Sequence, residues 1–262
     1  MKQLILPAVA GLVLAAGPLA AQPALAPAAT PGPAADRWAG SLTLYGWLPS
    51  VSGDLQANSS GQRSDFSFDE KNILESLDFA AFATLNLQRG RLGFIVDALY
   101  THLSNGTNLG GPFDTRVDGD MKMAMVTGAA TWRVYQASSF FADALAGVRL
   151  SYGEVTINTW RDRFRGVSHS EQQGATWIEP LVGVRLGVDL TDKISLKGIA
   201  DIGGFGIGSK LTWEFYAGAA YAITPTIRLE AGYRYISVDY DADRVTIDTR
   251  MQGLAAGVTF GF

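Results

Sequence analysis

From Gly253 to Phe262 the chain alternates without a break. Leu254, Ala256, Val258, Phe260 and Phe262 fall on one side, and Gly253, Ala255, Gly257, Thr259 and Gly261 on the other. Only an extended strand sends successive side chains to opposite faces, so this stretch is a strand with one greasy face and one small or polar face. The same period of two governs nearly everything after Trp38. It is clearest over 176–190, where Ile178, Val182, Val184, Leu186, Val188 and Leu190 oppose Glu179, Gly183, Arg185, Gly187 and Asp189. Read this way, the chain holds ten strands: 38–48, 78–88, 92–103, 121–134, 140–153, 176–190, 194–207, 211–223, 227–240 and 245–262.

Bulk composition narrows the class. Hydrophobic residues make up 47% and charged residues 18%, below the roughly 25% charged content of soluble domains. Glycine supplies 30 of 262 residues, which suits tight turns and close strand packing. A formal net charge of −4 gives no reason to expect nucleic acid as a partner. There is no cysteine, which excludes disulfides and thiolate metal sites. Past the N-terminal stretch no run of 18 apolar residues occurs. A membrane would therefore be crossed by strands rather than helices.

Residues 1–21 read as a secretory signal: Lys2 gives a basic start, Leu4 to Ala16 an apolar core, and Ala20 and Ala21 small residues at a cut. A cut after Ala26 would place Pro27 first in the mature chain, so residues 1–26 form the less favoured alternative. Pro23, Pro27, Pro31 and Pro33 make 22–36 a disordered Pro/Ala-rich lead-in. Residues 37–262 form the folded domain.

Two all-β architectures alternate in this manner, a soluble sandwich and a membrane barrel. Strand lengths near 11 residues match a tilted transmembrane strand. Trp38, Trp132, Phe140, Tyr152, Trp213, Tyr221 and Phe262 cluster near strand ends, as interfacial girdles require. Connections alternate long and short over the first six: 49–77, 89–91, 104–120, 135–139, 154–175 and 191–193. The expected fold is all-β, a single closed antiparallel transmembrane barrel of ten strands, with eight or twelve as alternatives. An even count puts both termini on the periplasmic side.

The residues also carry a resemblance. Tyr45-Gly46-Trp47-Leu48-Pro49, Trp177-Ile178-Glu179-Pro180-Leu181-Val182-Gly183, Gly203-Gly204-Phe205-Gly206-Ile207-Gly208-Ser209, Gly232-Tyr233-Arg234-Tyr235 and the closing strand on Phe262 are spread over most of 38–262. Together they resemble the outer-membrane β-barrels of Gram-negative bacteria, and within them a poorly characterised proteobacterial family of small barrels. The resemblance implies an outer-membrane location, a bilayer with lipopolysaccharide as surroundings, and insertion by the barrel-assembly machinery through the strand ending at Phe262. It brings no catalytic residue, cofactor or metal ligand, and none is expected.

On a barrel, the polar face of each strand lines the lumen. The charges there are Asp97, Arg133, Asp143, Arg149, Glu179, Arg185, Asp189, Lys197, Asp201, Glu214, Arg228, Glu230 and Arg234, seven acids against six bases. An unpaired charge in a narrow lumen costs several kcal/mol, so these should pair in layers. Arg149 with Glu179, Lys197 with Asp189, and Arg185 with Asp143 lie at compatible heights. A structural network that fills the barrel is the expected role, because small barrels are filled by side chains.

The connections hold weaker signals. Ser67-Phe68-Asp69-Glu70 fits a capping box, with Ile73, Leu74 and Leu77 on one face, which predicts a short helix over 69–77. Phe66 and Phe68 give the same connection the means to lie in the barrel mouth as a lid. Asp239, Asp241 and Asp243 alternate, but Arg244 and Arg250 stand where a calcium loop wants Gly and Glu. Asp118 and Asp120 likewise read as solvated loop acids. His102 and His169 are the only histidines, both near the outer rim, with no Asp-x-His pair. The leading reading is a filled barrel with a structural or surface-interaction role. A narrow small-solute channel gated by 49–77 is the main rival, and an outer-membrane enzyme, protease-like or lipid-modifying, the third.

Overall fold

A computed structural model describes residues 37–57, 62–68, 70–110, 115–161, 167–242 and 245–262. Residues 1–36, which include the expected signal sequence and Pro/Ala-rich lead-in, lie outside the described residues, as do Asp69, Asp243 and Arg244. Among the described residues, eleven strands and one helix follow in order: β1 Ala39–Ala57, β2 Gln62–Phe68, α1 Glu70–Ser76, β3 Leu77–Arg89, β4 Leu92–Gly110, β5 Thr115–Gln136, β6 Phe140–Arg161, β7 Val167–Asp189, β8 Ile194–Ile207, β9 Ser209–Ala222, β10 Ile227–Ala242 and β11 Val245–Gly261.

Each strand pairs antiparallel with its neighbour in sequence, and β11 returns to β1 from Ser41↔Gly261 to Ala57↔Val245. That last pairing removes the sheet edges and closes the cylinder. Ten strands form the wall. β2 is extra: it pairs with the upper part of β1, Val51↔Phe68 to Ala57↔Gln62, above the stretch of β1 that pairs with β3. Backbone bonds between Gly40 and Phe262 in both directions, 2.8 and 2.9 Å, lock the final residue into the lower rim.

Alternation places the faces as the sequence implies. Thr43, Trp47, Ala255 and Thr259 are buried inward, whereas Leu44, Leu48, Leu254 and Phe260 are exposed outward, Leu254 at 71%. Val96, Val148, Val182, Leu186 and Leu196 continue the outward belt. An exposed apolar surface that encircles a closed sheet is what lipid rather than water would wet. Rings mark its two edges: Trp38 lies 6.0 Å from Phe94 below, Phe79 6.0 Å from Tyr100 and Trp213 4.4 Å from Tyr235 above.

The strands correct the sequence reading in one respect. β5 and β6 have 22 residues each and β7 has 23, twice what the apolar belt requires. The segments 104–120 and 154–175, expected as loops, are largely strand, and so are 49–57 and 62–68. Above the membrane both faces of a strand meet water, so the apolar period vanishes while backbone pairing continues. The predicted helix is present as α1. Wall height is uneven: β7 pairs with β8 only from Leu181↔Gly203 to Asp189↔Ser195, because β8 and β9 turn back early at Gly208. Two arms of strand therefore rise beyond the belt, one from β4 to β7 and one from β10 through β11 and β1 to β2.

Candidate functional site

Midway up the lumen lies a sealed charge layer. Arg149 on β6 is fully buried. Its guanidinium reaches Glu179 on β7 at 3.5 Å, Asp201 on β8 at 2.7 Å and Glu214 on β9 at 2.9 Å, and its Nε donates to Thr127 on β5 at 3.1 Å. Glu214 also meets Arg234 on β10 at 2.8 Å, and Arg234 meets Asp97 on β4 at 2.6 Å. Asp97 accepts from Tyr45 on β1 at 2.9 Å and from Thr84 on β3 at 2.6 Å. Every barrel strand except β11 contributes to this one network. Glu179 is held further by Trp177 Nε1 at 3.2 Å and Thr212 at 3.1 Å, with Ser209 donating as well. Two guanidiniums thus hold four carboxylates, three of them buried and Asp97 half-buried, where such bonds are strong because little solvent competes.

A second, lower group sits toward the rim that holds Gly40 and Phe262. Asp143 accepts from Arg133 and, at 2.9 Å, from Arg185 Nε. Arg185 also donates to Asn86 at 3.0 Å and Gln88 at 3.2 Å. Both guanidiniums lie over the Phe141 ring, at 4.2 and 5.5 Å from its centroid. Lys197 bonds Glu230 rather than the Asp189 expected from height alone, and Glu230 accepts from Thr259 at 2.6 Å. Asp189 is exposed at the lower rim and Arg228 half-buried near it.

Above the charges the lumen turns apolar. Trp47, Val51, Phe82, Leu99, Met125, Ile236, Val238, Met251 and Ala255 form one buried cluster, and Ile73 of α1 packs into it from above. A cavity of about 30 Å³ lies beneath the helix, lined by Trp47, Ile73, Leu77, Phe82, Leu103 and Met123 among others. Trp177 on β7 and Tyr240 on β10 meet at 4.5 Å over the low β8–β9 turn and join the two arms there. At the boundary of the layers, Trp47 Nε1 and Arg234 Nε are buried donors without an acceptor among the described residues.

The remaining candidates fall elsewhere. Asp241 bonds Lys210 at 2.7 Å and Thr246 at 2.8 Å. His102 faces outward, since the neighbouring Thr101 and Leu103 line the cavity. Its Nε2 lies 3.2 Å from Asp120 and 3.8 Å from Asp78. This grouping was illegible in the sequence, because its members are 24 and 18 residues from His102 and meet only through strand pairing. His169 sits on β7 opposite Thr159.

No family model and no curated protein matches the sequence. Among solved structures the fold is similar to the outer membrane protease OmpT from Escherichia coli, with a TM-score of 0.55 at 10% identity over 87% of this chain and 98% of that one. Ail of Yersinia pestis gives a TM-score of 0.32 at 13% identity, over 86% of this chain and 98% of that one. The translocator domain of NalP from Neisseria meningitidis gives 0.43 at 12%, over 86% of this chain and 88% of that one. These last two scores are too low to bear on the fold. The closed sheet, its apolar outer belt and the aromatic rings at both edges stand beside the first likeness, and the chain is an integral β-barrel of the outer membrane.

Proposed function

We propose that this barrel does not conduct solutes, and that its role is structural or surface-interacting, with the two arms as the presented surface. The observation that carries this reading is Arg149, which has no exposed surface and binds carboxylates from three successive strands across the lumen. A guanidinium held so cannot step aside for a hydrated ion without leaving several buried charges unpaired. The apolar cluster under α1 adds a second obstacle of opposite chemistry, since an ion must shed water to enter it. The lumen charges from Asp97 to Arg234 serve in this view as a structural network. Insertion through the strand ending at Phe262, by the barrel-assembly machinery, and secretion on residues 1–21 belong to the same proposal.

OmpT is named as a protease, and the hydrolase alternative would need a histidine aimed into the mouth. His102 and its two aspartates face away from the mouth, which weighs against that reading. The test is electrical. Purified barrel inserted into planar bilayers should give no steady open level. A reproducible single-channel conductance that disappears or shifts on deleting 66–77 would overturn the proposal in favour of a gated channel.

A further inference from the structure

We infer that Asp78, His102 and Asp120 form a binding site for one divalent first-row transition cation of the Zn2+ type, on the outer wall of the barrel where the strands leave the membrane. The three residues come from β3, β4 and β5, and one ligand atom from each lies within 4.8 Å of the others. His102 Nε2 is 3.2 Å from Asp120 Oδ1 and 3.8 Å from Asp78 Oδ2. Contacts of this length are close to the edges of a tetrahedron whose centre sits about 2.0–2.2 Å from N and O donors.

The backbone is bent to make the cluster. Pairing of β3 with β4 runs regularly from Arg89↔Leu92 to Phe79↔His102, then slips, and Leu77 pairs with Leu103. Asp78 is the extra residue of that bulge, so Asp78 and Phe79 both stand opposite His102. Without the slip, Asp78 would alternate inward toward the apolar cluster. A bulge interrupts the ladder and re-aims a side chain, and here it turns a carboxylate outward onto a histidine. Nε2 carries at most one proton and can satisfy one of the two carboxylates. The second is then a like charge brought close to the first. A divalent cation in place of that proton would neutralise both.

Lys122 pairs across from His102 on the same face, yet its ammonium turns to Glu154 at 3.4 Å, which leaves the triad its negative charge. Glu154 in turn accepts from Tyr152 at 2.7 Å. One imidazole with two carboxylates suits Zn2+ and similar ions. Mg2+ prefers an octahedral all-oxygen shell. Three protein ligands would leave a fourth position for water or another donor, and Phe79, which stands opposite His102, forms with Tyr100 the ring pair at the membrane edge.

The test uses the full barrel, refolded in detergent and stripped with EDTA. Titration calorimetry with ZnCl2 should show one site per chain that Mg2+ does not compete for. His102→Ala should weaken it by about 100-fold or more, Asp78→Asn should weaken it too, and His169→Ala should leave it unchanged. Absence of binding to the native chain, survival of the site in His102→Ala, or equal competition by Mg2+ would each overturn the assignment. Should the variants fail to fold, modification of the native protein by diethylpyrocarbonate decides. At roughly ten times Kd, Zn2+ should slow reaction of His102 about tenfold, the factor 1 + [L]/Kd, while His169 reacts at its former rate. No protection of His102 would also overturn it.

Discussion

Arg149 is the residue on which the interior depends most. Removing its guanidinium takes from Glu179 and Asp201 the cation they share and leaves Glu214 to Arg234 alone. Breaking a buried ion pair from one side typically costs about 3–5 kcal/mol. Arg149→Met should lower the barrel's unfolding free energy by about that amount, read from urea unfolding in lipid vesicles. Arg149→Lys should recover only part of the loss, because an ammonium cannot place its donors in a planar fork toward several acceptors. Equal stability of Arg149→Met and the native chain would show the layer to be energetically idle. Glycines offer a second residue-scale test. A Cβ at Gly253 would be driven onto the Leu48 carbonyl and Pro49 Cα, backbone that cannot swing aside, whereas at Gly46 it meets nothing within 4 Å. Gly253→Ala should therefore cost about 1–3 kcal/mol and Gly46→Ala almost nothing in the same assay. The inward facing of the lumen charges was readable from alternation, but partner identity was not. Lys197 reaches Glu230 across β9 because the residue between them, paired with Lys197, is Gly218, which has no side chain to block the way. Height along the strand pointed instead to Asp189. Only the three-dimensional register shows which neighbours a small residue lets through.

At the scale of elements, what the sequence concealed was strand beyond the membrane. The belt segments are legible because lipid on one side and a filled lumen on the other force a strict period of two. The upper parts of β5, β6 and β7 lack that contrast, so they read as loops although the ladder continues. α1 was legible for another reason: the spacing of its apolar face around Ile73 is a local signal, although Ser67, read as its cap, lies in β2 opposite Ser52 and the helix begins only at Glu70. Ile73 is buried in the mouth cluster. Ile73→Ala should cost about 2–5 kcal/mol of docking, seen as faster limited proteolysis between β2 and β3 on intact vesicles with the barrel itself still folded. The β8–β9 turn holds the opposite kind of feature. Gly204, Phe205, Gly206 and Gly208 all have positive φ, and Phe205, at 53°, is the non-glycine residue among them. Its ring is exposed, so its removal forfeits little packing. A left-handed L-residue costs about 1–2 kcal/mol, and Phe205→Gly should return part of that as added stability. Gly208→Ala should do the reverse, since the new Cβ meets the Ile178 carbonyl. A destabilised Phe205→Gly variant would mean that the exposed ring has a partner worth more than the strain.

Across the whole molecule the two lumen layers stand in series, one ionic and one apolar, and each blocks passage by a different mechanism. The ionic layer resists because its charges are mutually paired and closed to water. The apolar layer resists because a hydrated ion finds nothing there to replace its shell. Obstacles in series add as resistances, so removing either one leaves the other in control. Deletion of 62–76 takes away β2 and α1 and uncovers the apolar cluster, but Arg149 and its carboxylates still close the barrel. Joint replacement of Arg149, Glu179, Asp201 and Glu214 by serine leaves no buried charge uncompensated among these four and opens the middle, but Trp47, Phe82, Leu99 and Ile236 still close the mouth. Each variant alone should therefore stay silent in planar bilayers, while the combination should show a steady conductance. If the deletion alone conducted, the charge layer would not be a barrier, and the lumen would have to be read as a pore with α1 as its gate. If the combined variant, folded by gel mobility, stayed silent, the lower group around Asp143, Arg133 and Arg185 would be the seal, and the closing element would lie near the rim that holds Gly40 and Phe262.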